Sequence, residues 1–418
     1  MGKSMESLQP VRGTRDLLPN EFRVHKMVSD LACSIAARYG FQEVDTPIFE
    51  FTEVFARTLG DTSDIVTKEM YTFLDKNGAS ITLRPEYTAG IVRMLLSNSL
   101  LRNLPIKVFG RGPMFRYERP QKGRQRQFHQ INIELIGVPG PIADIEVISL
   151  AQHFLSELGI NDLIKLELNT LGDADSRQRY RGCLVEYFSD HQDKLSKESI
   201  ERLKKNPLRI LDSKSKEDQV LISDAPTIEQ SLNPESVDFF SEVKDGLSKL
   251  GISFSVNPRL VRGMDYYCHS TFEFVTKDLG AQGAVLAGGR YDGLVEAMGG
   301  TPTPGIGWAG GIERLALLAT KEPEIIMPIA VIPVGEAAHQ TAYKITNYLR
   351  RNNFTVHYAF SGNFKKRLSR ANSLSAKAAI IIGEDELAKN TLIIRDMKTG
   401  EQTETTFTSL LDNLESFC

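Results

Sequence analysis

Phe115 to Glu134 reads FRYERPQKGRQRQFHQINIE. Arg116, Arg119, Lys122, Arg124 and Arg126 crowd its first part, and Phe128–His129–Gln130 opens the rest. Two runs of strand character bracket the charge: Lys107–Val108–Phe109 before it and Gln130–Ile131–Asn132–Ile133–Glu134 at its end. Pro120 and Gly123 interrupt any helical or strand period between them. The stretch predicts two antiparallel strands joined by a long basic loop. Arginine offers a planar fork of donors that grips phosphate oxygens bidentately. Arginines on rigid strands, with a basic loop between them, suit a nucleotide phosphate and a polyanion meeting at one place. A solvated charged hairpin is the alternative this stretch alone leaves open.

Upstream, Met70 to Leu74 and Ile81 to Arg84 alternate as strands around Asp75–Lys76–Asn77–Gly78, a hairpin turn. Pro85–Glu86–Tyr87–Thr88 follows directly and opens a helix to about Ser97. Glu86 and Thr88 thus stand at a strand's end beside a helix N-terminus. They can present a carboxylate and a hydroxyl to a ligand amine, or simply cap the helix. Earlier still, Met27, Leu31, Ile35 and Ala36 have helical spacing, and Gly40 closes that helix. Phe41 to Phe51 reads as extended, with Pro47 suited to a sheet edge or a subunit contact. Gly60 to Lys68 reads as a polar loop.

Downstream, Pro141 to Leu158 has helical spacing and Ile164 to Leu171 alternates as a strand. From about Gly172 to Leu247 the composition turns Lys-, Asp-, Ser- and Glu-rich, as in a helical module inserted into a sheet domain. The sheet pattern resumes at Phe254–Ser255–Val256 and runs through LVRGMDYY (Leu260–Tyr267), Ser270 to Phe274 and AGGRYDG (Ala287–Gly293). Gly305 to Leu315 is a glycine-rich strand entering a helix, which puts Arg314 in the first helical turn. Its GxGxxG lacks a βαβ unit and an acidic residue about 20 positions on, so it is not a dinucleotide fingerprint. Residues 322–328 form a linker. Beyond it strands and helices alternate, as in a small α/β domain. There Lys365, Lys366, Arg367 and Arg370 put charge at the start of one helix, suiting either a nucleic-acid backbone or plain solvation.

The totals narrow the class. With 418 residues, two or three domains are expected. A net charge of −3 excludes a global polyanion-binding signature, so nucleic-acid contact must come from local patches. Cys33, Cys183, Cys268 and Cys418 are too scattered for a CxxC zinc site or a disulfide framework. No apolar run of about 18 residues exists, and MGKSMESLQPVRG lacks the apolar core of a signal peptide. MGKSME also misses the Ser or Thr of a myristoylation start. These features imply a cytoplasmic protein with reduced thiols and no membrane span.

Taken together, the segments resemble class II aminoacyl-tRNA synthetases, and within them the histidyl-tRNA synthetase family. FRYERPQKGRQRQFHQ resembles motif 2, Gly305 to Arg314 resembles motif 3, and the segment ending Asp45–Thr46–Pro47 resembles motif 1. LVRGMDYY and AGGRYDG resemble the two histidine-specific signatures, which carry the resemblance past the class to the family. It spans nearly the whole chain; Tyr87 stands where many members have Gly, and Thr14–Arg15 replaces a variable dipeptide. It implies an α+β chain: an antiparallel-sheet catalytic domain over residues 1–171 and 248–321, an inserted helical subdomain over 172–247, and an α/β anticodon-binding domain over 329–418. It further implies ATP-dependent ligation of histidine to tRNA(His) by a homodimer, with ATP as substrate and Mg²⁺ bound mainly through its phosphates.

By similarity, Arg116 and Arg262 are catalytic, holding the α-phosphate, and Arg262 also the substrate carboxylate. Glu118, Arg124, Phe128 and Arg314 would bind the nucleotide, with Phe128 and Arg314 on the two faces of adenine. Glu86, Thr88 and Gln130 match positions that hold the histidine amino group. Glu134 and Tyr267 match those that read the imidazole, and Tyr266 and Tyr291 complete the pocket. Gln121, Lys122 and Arg126 would meet the tRNA acceptor end, and Lys365, Lys366 and Arg367 the anticodon arm. No metal is assigned to protein side chains. A neutral imidazole has one donor and one acceptor nitrogen, which a carboxylate and a phenol can satisfy together. An analogue lacking either would strand a buried polar group, a discrimination of about 10⁴-fold that needs no editing domain. The rivals are a regulatory paralogue of an ATP phosphoribosyltransferase, a threonyl- or prolyl-type synthetase, and a plain RNA-binding module. The intact signatures and the C-terminal domain weigh against the first, pyrophosphate exchange across amino acids would separate the second, and the Arg116, Arg262 and Arg314 set weighs against the third.

Overall fold

The structure, a computed structural model, describes residues 7–60, 63, 65–280, 283–415 and 417. The MGKSME start, Cys418 and positions 61, 62 and 64 of the polar loop lie outside the described residues. The end of that loop, Ile65–Glu69, is a turn of π-helix rather than irregular chain. The chain divides into two compact units, one ending at Pro323 and one starting at Glu324.

The first unit is built on an eight-stranded sheet, ordered Gln42–Val44, Ile106–Phe115, Gln127–Ile136, Gly305–Gly311, Ala284–Arg290, Cys268–Val275, Lys165–Thr170 and Phe254–Val256. Only the two outermost pairings are parallel. The basic loop does join two antiparallel strands, and Phe115 lies opposite Gln127. Each strand is 10 residues long, well beyond the runs legible in the sequence. The first strand runs on through Gly110 and Gly112, past the run Lys107–Val108–Phe109. Both glycines are in the strand because Tyr87 and Arg84 side chains lie where their Cβ atoms would go.

Alternation then sorts the second hairpin strand. Ile131, Ile133 and Leu135 enter the core behind the sheet, so Phe128, Gln130, Asn132 and Glu134 project from the opposite face. Three helices cover the rear: Pro19–Arg38 with Val28 and Ile35, Ile142–Glu157 with Val147 and Phe154, and Pro234–Lys249 with Phe240 and Val243. Trp308 stacks on Phe154 at 6.3 Å between ring centres and donates its Nε1–H to Val147 O at 3.1 Å. Residues 174–249 are helical, with short connections. Asp173 caps one helix through Ser176 N at 2.8 Å, and Asn233 caps another through Ser236 N at 2.9 Å, with Pro234 following. The first helices of this segment pack around Tyr180, Leu184 and Leu221. The last belongs to the main core.

A separate three-stranded sheet (Phe49–Phe51, Ser80–Leu83, Tyr71–Leu74) leaves Phe49, Phe51, Phe73 and Leu74 exposed.

The second unit has a five-stranded sheet ordered Val356–Tyr358, Ile329–Pro333, Ala378–Ile382, Thr391–Asp396 and Gln402–Thr406. Its first three strands are parallel and its last two antiparallel. Val331 and Ile380 face one apolar layer, Ile332 and Ile381 the other. The last two strands were not anticipated, because QTETT carries almost no apolar alternation.

Candidate active site

A cavity of about 550 Å³ opens on the sheet face away from the helical core. Basic and acidic groups both line its wall. Arg116 leaves the first hairpin strand; its Nε donates to Pro85 O at 2.8 Å and its guanidinium lies 5.3 Å from the centre of the Phe128 ring. Glu118 accepts from Arg124 at 2.8 Å and lies 3.8 Å from Arg116. Arg314 is buried in the first turn of Ile312–Leu318, under the loop glycine Gly123. Burial lowers its pKa, and Arg124 adds to the effect. Arg262 comes from the loop before Cys268–Val275 and pairs with Glu273 on that strand. Burial is the largest single influence and works against its charge, but Glu273, Tyr267 and Tyr266 together outweigh it and raise its pKa. From the inserted helices, Arg177 donates to the carbonyls of Asp265 and Tyr267 at 3.1 and 2.5 Å, pinning that loop.

The acidic part is drier. Glu86 is buried, and its two carboxylate oxygens accept from Thr88 N at 2.7 Å and Ala89 N at 2.8 Å. It is therefore a helix cap, yet it also lines the cavity with lone pairs to spare. Burial raises its pKa despite those amides. Thr88 Oγ1 donates to Glu134 at 2.6 Å, and the Tyr291 hydroxyl donates to the other Glu134 oxygen. Burial pushes Glu134 up to about 8. Glu134 fits only because its neighbour across the ladder is Gly307: a Cβ there would run into Glu134 Oε2 and Ile133 O. Tyr266 packs between Tyr267 and Tyr291, at ring distances of 4.6 and 5.7 Å.

The sequence-derived residues therefore converge. Glu86, Thr88, Gln130, Tyr266 and Tyr267 line the cavity with Arg116, Glu118, Arg124, Phe128, Arg262 and Arg314. Glu134 and Tyr291 sit just behind it. Of the loop residues expected to meet tRNA, Gln121 and Lys122 are exposed. Arg126 is packed 3.8 Å from the Tyr117 ring centre and is only partly accessible. In the second unit Lys365 and Lys366 are exposed, but Arg367 turns back to donate to Pro333 O. Phe360 is exposed nearby in the chain, and Tyr343 stacks on Tyr358 at 4.6 Å.

Several groups escaped the sequence. Glu273 was read only as part of a strand. Asn132 follows the same alternation as Gln130 and Glu134 and could have been found by it. Arg290 is fully buried; it bonds Asp144 at 3.0 Å, the carbonyls of Val138 and Gly140 at 3.1 and 3.0 Å, and Asp292 at 3.1 Å, fixing the chain before Tyr291. Glu313 accepts the His129 backbone N–H at 3.0 Å and lies 2.8 Å from its Nδ1. With His25 these two could in principle hold a metal ion, their donor atoms lying within 4.8 Å of one another. Ligands around one tetrahedral ion stand about 3.4 Å apart, and Glu313 is already committed to the strand. The trio reads better as a clamp between motif 2 and motif 3.

Comparison with known proteins gives a consistent result. The family model for histidyl-tRNA synthetase matches residues 13–315, and that for an anticodon binding domain matches residues 328–417. A histidine–tRNA ligase from Rhodospirillum rubrum is 55% identical over 399 residues, covering 95% of this chain and 96% of that protein. One from Wolbachia pipientis wMel is 56% identical over 394 residues, 94% of this chain and 96% of that protein. The crystal structure of apo S. aureus histidyl-tRNA synthetase superposes with a TM-score of 0.83 at 34% identity, covering 97% of this chain and 99% of that one.

Proposed function

The chain belongs to the histidyl-tRNA synthetase family, and we propose how its cavity carries out that family's reaction. The enzyme ligates histidine to tRNA(His) in two steps. A histidine carboxylate oxygen attacks the α-phosphorus of ATP, forming histidyl-adenylate and releasing pyrophosphate. A hydroxyl of the terminal tRNA ribose then attacks the histidyl carbonyl, and AMP leaves.

Phosphoryl transfer depends chiefly on positioning and charge placement. In this reading Arg116 and Arg262 hold the α-phosphate, and Arg262 steadies the attacking carboxylate. Glu118 and Arg124 contact the nucleotide, whose adenine lies between Phe128 and Arg314. Glu86, Thr88 and Gln130 take the histidine amino group; Glu134 and Tyr267 read the imidazole, enclosed by Tyr266 and Tyr291. Glu118 and Glu273 are each engaged by an arginine, so Mg²⁺ would be held mainly by phosphate oxygens and water. When bound it neutralises the departing pyrophosphate. The loop around Gln121 and Lys122 meets the acceptor end, and the 324–418 unit takes the anticodon arm through Lys365 and Lys366. The exposed Phe49, Phe51, Phe73 and Leu74 suit the interface of a homodimer. Among the described residues no helix is long and apolar enough to cross a membrane, and a cytoplasmic location fits this chemistry.

The observation that carries the assignment is the meeting of buried hydrogen-bond acceptors and arginines in one cavity. Histidine-dependent ATP–pyrophosphate exchange, with the other amino acids as controls, tests it. Exchange with histidine alone is expected. No exchange from folded protein would move the weight to a regulatory paralogue.

A further inference from the structure

The cavity-facing side of Gln127–Ile136 carries a polar side chain that the assignment above leaves idle. Asn132 stands between Gln130 and Glu134 on the same strand face, paired across the ladder with Ala309. It is 1% exposed and lines the cavity. Its Oδ1 is buried and has no hydrogen-bond partner among the described residues, and the same holds for Oε1 of Gln130. Its side chain also lies close enough to Glu134 to help hold that carboxylate's charge, which points the amide N–H toward Glu134 and leaves the oxygen for the cavity.

Two orphaned acceptor oxygens on one strand face are costly unless a donor meets them. An ammonium group has three N–H donors and no acceptor. Glu86, in the same part of the cavity wall, supplies a buried carboxylate whose backbone bonds leave lone pairs free. We infer that Asn132 is a substrate-binding residue, its Oδ1 sharing the N–H donors of the histidine α-ammonium with Glu86, Thr88 and Gln130. The inference rests on the proposed histidine pocket and adds to it a fourth acceptor. Asn132 thereby makes the site select for an amino acid over a deaminated acid of the same shape.

The test is a calorimetric binding comparison between histidine and 3-(imidazol-4-yl)propionate, which keeps the ring and carboxylate but lacks the amine. Wild type and Asn132→Leu are compared. Leu matches the size of Asn without polarity. Losing a hydrogen bond to a charged group should weaken histidine binding to Asn132→Leu about 10- to 100-fold. The deaminated ligand should bind wild type and Asn132→Leu within about 2-fold of each other. Equal loss for both ligands would overturn the inference, since Asn132 would then serve the ring or the pocket wall. Unchanged histidine binding to Asn132→Leu would overturn it too. Failure of wild type to bind histidine would instead bring down the pocket assignment itself.

Discussion

Replacing Arg262 with Gln separates its pairing in the fold from the catalytic role proposed for it. Its guanidinium meets the Glu273 carboxylate in the cavity wall, the side chains being 18% and 19% exposed. The first consequence is on folding. Removing one partner of a buried pair costs roughly 3–5 kcal/mol because it strands the other charge. Part of each side chain reaches solvent, so about 2 kcal/mol is the fair figure here. Glu273→Gln in the same chain removes the stranded charge and should restore most of it. The second consequence is on chemistry. Negative charge grows on the phosphoryl oxygens as adenylate forms, so a guanidinium there acts more on the transition state than on bound substrates. A loss of about 100-fold in activation, or about 2.7 kcal/mol, is expected. The assay is single-turnover adenylate formation beside thermal unfolding, for both single variants and the double variant. Histidine and ATP dissociation constants should stay within about 3-fold of wild type in Arg262→Gln. The double variant should regain stability without regaining rate. Recovery of both together would mean that Arg262 serves only the fold, and would refute the reasoning. A single variant activating histidine within a few-fold of wild type would do the same.

Three further perturbations follow from the geometry. Glu134 has a folded pKa of about 8 against an ordinary 4.5, so its stabilising contribution is complete below the lower value and is lost as pH rises through the upper one. Glu134→Gln should therefore nearly match wild type in stability near pH 4.5 and exceed it by roughly 4–5 kcal/mol at pH 8.5, read by denaturant unfolding; parallel pH curves would place the titration elsewhere. A chain ending at Pro323, the limit of the first compact unit, should still support histidine-dependent pyrophosphate exchange while its tRNA affinity falls at least about 10-fold in filter binding; unchanged affinity would remove the anticodon role from the second unit. Phe51→Asp, on the exposed three-stranded sheet, should shift sedimentation from dimer toward monomer; a variant that sediments as wild type would put the interface on another face.

What the sequence disclosed was what its periods could carry. The hairpin, the glycine-rich strand before Arg314 and the amphipathic helices each repeat a simple pattern, and each lies where that pattern puts it. The ends of elements were harder. The first hairpin strand continues through Gly110 and Gly112 because Tyr87 and Arg84 lie across them, and that contact joins residues distant in the chain. Gln402–Thr406 is held by its ladder to Thr391–Asp396 rather than by any apolar face. Candidate site residues were legible where a motif named them. Glu273, Glu313 and Arg290 were not, because each acts on a partner brought near only by the fold: Arg262, His129 and Asp144.

The arrangement of charge explains why one small cavity can sort so similar a set of amino acids. Glu86, Glu134, Gln130 and Asn132 make one part of the wall rich in acceptors, while Arg116, Arg262 and Arg314 make another rich in donors. Histidine is itself polar in that sense, with donors on its amine and imidazole and a carboxylate that only accepts. On the assignment above, it can satisfy both parts in a single orientation, which aims the carboxylate at the α-phosphate before chemistry begins. Reversed, it would set its carboxylate against Glu86 and Glu134, whose own charge burial already disfavours, and leave the arginines unserved. The same dryness that raises those two carboxylates makes a missing donor costly. Recognition and alignment for attack thus come from one distribution of buried charge.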